Sequence, residues 1–131
     1  MQAMKTLGLM TLTLLLTVSQ VTAESPAGQR FPDVIDVSVR SSADQRFTFQ
    51  VTLSSPYDTP QRYADAFRVM TPDEATLGVR ELLHDHASEQ PFTRSLSGVV
   101  IPADITRVIV QGRDQQYGYG GKTLTLDLPG R

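Results

Sequence analysis

Cysteine and tryptophan are both absent from the 131 residues, and histidine occurs twice. Without a thiol the chain has no disulfide framework, no thiol nucleophile, no cysteine-based metal site and no cysteine to carry a lipid. Stability has to come from packing and strand pairing. Basic residues are spread singly rather than in a run, so the clustered Lys and Arg that phosphate backbones require are missing and nucleic acid is excluded as a partner. A continuous apolar stretch of about 20 residues, the length a spanning helix needs, is missing as well. The longest apolar run, residues 7–18, is broken by Thr11, Thr13 and Thr17 and is followed by Ser19 and Gln20.

What the N-terminus does contain is a weakly basic start at Lys5, that apolar run, and small residues at Val21-Thr22-Ala23. This is the pattern of a cleavable secretory leader over residues 1–23. The mature chain is expected to begin at Glu24 and to work in the periplasm or outside the cell. Removing 23 of 131 residues leaves 108, enough for one domain with one core. With Lys5 gone, 11 basic residues face 14 acidic ones, a net charge of −3. Residues 24–32 are polar and carry Pro and Gly, and read as a flexible tail before a domain over residues 33–131.

From there the pattern has period two. Ile35, Val37 and Val39 alternate with Asp36, Ser38 and Arg40; Phe47, Phe49, Val51 and Leu53 with Thr48, Gln50 and Thr52; Leu124, Leu126 and Leu128 with Thr123, Thr125 and Asp127. Alternation puts one face on a core and the other in water, as in antiparallel strands. Weaker strand candidates cover residues 63–70, 77–83, 92–99 and 105–110. A helix over 73–85 competes for the second of these, but Gly78 would cost it about 1 kcal/mol. About seven short strands with turn signals between them indicate an all-β, antiparallel β-sandwich. Phe47, Phe49, Val51, Leu96, Val108, Val110, Leu124 and Leu126 are the expected core, with Thr48, Gln50, Thr125 and Asp127 facing water or a polar edge.

The run Leu96-Ser97-Gly98-Val99-Val100-Ile101-Pro102, continuing into the alternating Val108 and Val110, resembles the passage between the fifth and sixth strands of fibronectin type III and related immunoglobulin-like domains. The resemblance implies an immunoglobulin-like sandwich and no particular activity. It departs from the family where a corner Tyr would fall, at Thr106, and in lacking a buried Trp. Residues 83–122 are also similar to a group of small exported bacterial proteins of uncharacterised function.

Seven strands of alternating direction would bring the second-to-third (54–60), fourth-to-fifth (84–91) and sixth-to-seventh (113–121) connections to one pole. These carry the residues that could bind something. His84 and His86, if on a strand, would point to one face, and paired imidazoles suit Zn, Cu or Ni, with Glu89 as a third ligand. Tyr57, Tyr117 and Tyr119 offer rigid contact area for an envelope protein or a glycan. Gly120-Gly121-Lys122-Thr123 ends like a phosphate loop, yet Gln116 stands where the motif needs Gly, and a strand follows where it needs a helix. No serine has the surroundings of a hydrolase nucleophile. The expectation is an exported, non-catalytic binding module without a cofactor. The alternative is a periplasmic metal-binding protein holding Zn or Cu on His84 and His86.

Overall fold

A computed structural model describes residues 3, 4, 8 and 28–131. The expected leader and its cleavage point lie outside these residues, apart from Ala3, Met4 and Gly8. Seven strands follow in order: β1 (Asp33–Ala43), β2 (Arg46–Ser54), β3 (Ala64–Met70), β4 (Thr76–Glu81), β5 (Phe92–Val100), β6 (Arg107–Asp114) and β7 (Gly118–Asp127). They form two antiparallel sheets, β1-β2-β5 and β4-β3-β6-β7. No helix occurs among the described residues. The chain is all-β, a sandwich of two antiparallel sheets.

The core lies between the sheets. Phe47, Phe49, Val51 and Leu53 of β2 face Phe67 and Val69 of β3 and Val108 and Val110 of β6, all buried. Leu96, Leu124 and Leu126 are only partly buried against this cluster, because they sit near its margin. Gly78 is where β4 approaches the other sheet. A Cβ there would stand 3.2 Å from Val99 Cγ2 and 3.3 Å from Leu96 Cδ2, so the residue that argued against a helix also permits the close contact of β4 with β5.

Irregular pairing accounts for the departures from simple alternation. Ile35 is an extra residue on β1, lying between the pairs Val34–Leu53 and Asp36–Thr52. The bulge turns Val34 into the core and leaves Ile35 exposed, the reverse of its expected side. On β5, Ser97 and Gly98 together oppose Thr48, with Gly98 at φ 67°. Thr48, expected to face water or a polar edge, is buried beside that bulge. Gln50, Thr125 and Asp127 are exposed as expected.

The two sandwich edges are tied across the sheets. Arg80 Nη1 donates to Ser95 O at 2.9 Å on the β4–β5 side. On the other side the Lys122 amide donates to Asp33 Oδ1 at 2.8 Å. Both ties occupy edge groups that could otherwise template pairing with another chain.

Residues 29–32, expected within a flexible tail, are docked on the domain. Pro32 is fully buried, and a Cβ on Gly112 would stand 2.5 Å from its Cγ. A Cβ on Gly120 would stand 2.6 Å from the Phe31 ring. The Gln29 side chain donates to Ser54 O at 3.0 Å. The absence of side chains at Gly112 and Gly120 makes the trough this segment fills, a complementarity that local polarity does not reveal.

Candidate functional site

The connections of residues 55–63, 82–91 and 115–117 meet at one pole, and buried carboxylates join them. Asp58 Oδ1 accepts from the Ala64 amide and Oδ2 from the His86 amide, both at 3.0 Å, so one side chain bridges two loops. Gln90 adds a second bridge, accepting from the Ser55 amide at 2.8 Å and donating to His86 O at 3.0 Å.

Asp114, fully buried at the end of β6, organises the tight turn. Its Oδ2 accepts from the amides of Gln116 and Tyr117 at 2.9 Å and from Arg62 Nε at 3.2 Å. Burial alone would raise its pKa. The Tyr117 amide, the Tyr57 hydroxyl, Arg62 and the Gln116 amide outweigh that and hold the carboxyl below the ordinary carboxylate range. Burial first, and the close approach of the Asp114 carboxylate second, push the Tyr57 phenol well above its usual value. Although they influence each other's titration, Tyr57 Oη and Asp114 Oδ1 make no hydrogen bond of normal geometry.

Tyr57 and Tyr117 do come together, with Arg62 between them. The guanidinium lies 4.3 Å from the Tyr57 ring centre and 4.9 Å from that of Tyr117. Its Nη2 donates to Arg30 O at 2.8 Å, which fixes the docked N-terminal segment. Each tyrosine therefore already holds an internal cation.

Tyr119 belongs elsewhere. The sixth-to-seventh connection is three residues rather than the nine of 113–121, because β6 continues to Asp114 and β7 begins at Gly118, where φ is 84°. Tyr119 thus stands on a strand, paired with Arg113, with Arg68 4.1 Å from its ring centre.

The histidines lie in a loop, since β4 stops at Glu81, so a strand pleat does not align them. The loop itself brings the rings to 4.8 Å. His86 is buried and stacked on Phe92 at 3.9 Å and 7°, with Nδ1 unpartnered. Burial, then the charges of Arg94 and His84, lower its pKa and favour the neutral ring. His84 is exposed, and its Nδ1 lies 2.9 Å from Asp85 O. A carbonyl can only accept, so Nδ1 carries the proton and Nε2 keeps its lone pair in the neutral ring. Glu89, the expected third ligand, instead forms a two-pronged pair with Arg94 at 3.0 and 3.2 Å. No group of three His, Cys, Asp or Glu side chains is placed to hold a metal among the described residues.

A groove of about 370 Å³ opens where the pole meets the outer face of the four-stranded sheet. Tyr63, Ala66, Val79, Leu82, Leu83 and Tyr119 line it, with Asp65, Glu81 and Arg113 as its charged groups. Leu83 is 81% exposed at its rim. Asp65 is an extra residue of β3, between the pairs Ala64–Asp114 and Ala66–Arg113. This bulge carries its carboxylate to Arg113, whose Nη1 donates to Oδ2 at 2.5 Å, while Oδ1 is buried without a donor. A smaller hollow of about 170 Å³, lined by Arg80, His84, His86 and Arg94, shares Glu81, Leu82 and Leu83 with the groove.

Apart from Tyr119, the groove residues carry no binding signal of their own in the sequence, where Tyr63, Val79, Leu82 and Leu83 read as strand or helix positions. The one available signal was Leu82-Leu83, adjacent leucines of which a strand end can bury only one. The rest depends on the bulge at Asp65 and on which side chains cross-strand pairing collects.

Neither a known family nor a solved structure matches the chain. A protein of Halomicrobium mukohataei described as "Putative lipoprotein" is 40% identical over 111 residues, which cover 85% of this chain and 54% of that protein. The chain thus spans about half the length of the relative it matches.

Proposed function

We propose that this chain is an exported, non-catalytic binding module of the cell envelope and that its ligand occupies the Tyr63–Leu83–Tyr119 groove. The leader-like pattern of residues 1–23 and the lipoprotein description of the Halomicrobium mukohataei relative support the envelope assignment. No cysteine within these 131 residues could carry a thioether-linked lipid. We read the sandwich as fibronectin type III-like. The fourth strand pairs with the third rather than joining the first sheet, as it would in an immunoglobulin constant domain. Frames of this kind commonly carry binding on the loops they position.

The observation that carries the reading is the groove itself. It has the size of small-ligand sites, and its walls combine apolar and aromatic side chains with convergent polar groups. Mapping a fragment library by amide chemical shifts tests it. Hits should converge on Val79, Glu81, Leu83, Arg113 and Tyr119, and Leu83→Asp should abolish them with the fold intact. Hits scattered over the surface, or unaffected by Leu83→Asp, would overturn the reading.

A second reading, metal binding by His84 and His86, is favoured by the 4.8 Å approach of the rings and the free lone pair on His84 Nε2. Zn(II) or Cu(II) titration of wild type and His84→Ala decides it. Equal affinity in the two removes this reading.

A further inference from the structure

We infer that the groove selects an organic ammonium group carried on an apolar body. The inference rests on the groove being the binding surface, and adds the chemistry of what enters.

The charge on its walls is unequal. Asp65 and Arg113 neutralise each other as an ion pair at 2.5 Å. Glu81 forms no ion pair with any described residue and leaves the groove one negative charge. Arg68 forms no ion pair either, but it does not line the groove and spends its donors on Gln111 and Thr76.

The rest of the surface suits the other half of such a ligand. Tyr63 and Tyr119 offer aromatic rings, whose faces attract cations. Of the two, Tyr63 is the ring for a ligand cation, because Tyr119 already carries the Arg68 guanidinium 4.1 Å and that of Arg113 5.8 Å from its ring centre. Val79, Leu82 and Leu83 supply an apolar wall, and Val79 and Leu83 remain exposed. A ligand carboxylate would meet Glu81, while the only guanidinium on the walls is already held by Asp65. A cation with a short apolar stem would pair its charge with Glu81 and cover the leucines.

Three ligands of matched shape test the idea on the full chain: 2-phenylethylammonium, 2-phenylethanol and 3-phenylpropionate, each titrated while amide shifts are followed. The ammonium should bind with shifts at Glu81, Leu83 and Tyr119, roughly tenfold tighter than the alcohol, a ratio equivalent to about 1.4 kcal/mol. The carboxylate should bind more weakly still. Raising NaCl should reduce the ammonium preference, because the site is open to solvent. Glu81→Gln, an exposed substitution that leaves the core untouched, should bring ammonium and alcohol to similar affinity. Equal or tighter binding of the alcohol or the carboxylate at the same residues would overturn the charge inference and leave the groove as a binding surface. No shift at groove residues with any of the three would overturn both.

Discussion

Asp114 shows how much one side chain can hold at the residue scale. Asp114→Asn keeps the shape but loses the charge that two turn amides and Arg62 donate to. The expected cost is about 2–3 kcal/mol by urea unfolding, the range for losing hydrogen bonds to a charged group. It falls below the roughly 3–5 kcal/mol of a fully buried broken pair, because the Arg62 side chain remains 27% exposed. The carboxyl's folded pKa lies below its unfolded value of about 3.9. Its contribution is therefore complete above that pH and is lost as pH falls through the folded value. Wild type should lose stability in that acid window, and the variant should lose less; parallel curves would show that Asp114 does not control the turn. Very little of this was legible in the sequence. An Asp before a Gly-containing turn reads as ordinary turn chemistry, and Arg62, 52 residues away, has no local signature.

The strands were the legible part at the scale of elements, because alternation records a two-faced environment directly. Phe47, Phe49, Val51, Val108 and Val110 are buried as their pattern requires. Phe49→Ala should lower stability by about 3–5 kcal/mol, a large share of the roughly 5–15 kcal/mol a small domain has. An unchanged melting temperature would contradict the register of β2. Bulges were the illegible part. The extra residue on β1 puts Ile35 on the unexpected side, the one on β5 lies over Thr48, and the one on β3 could not be foreseen to place Asp65 beside Arg113. Connection lengths failed for a related reason. Glycines at 118, 120 and 121 read as loop, whereas β7 includes all three, two of them at positive φ and Gly120 against the Phe31 ring.

For the whole molecule, counting strands located a shared pole but not its use. Asp58 and Gln90 knit the loops there, and Arg62 occupies the space between Tyr57 and Tyr117 while gripping the N-terminal segment. The pole is thus largely filled by the protein itself, and open apolar surface lies beside it, around Leu83 and Val79. That shift from pole to adjoining sheet face is the central claim. Hydroxyl-radical footprinting read by mass spectrometry tests it most directly, by comparing the protein in intact cells with the purified chain. Leu83 and Tyr119 should be protected in cells, while Tyr117, 46% exposed in the structure, should oxidise equally in both. Protection of Tyr117 with Leu83 and Tyr119 unchanged would place the contact on the pole and contradict the account.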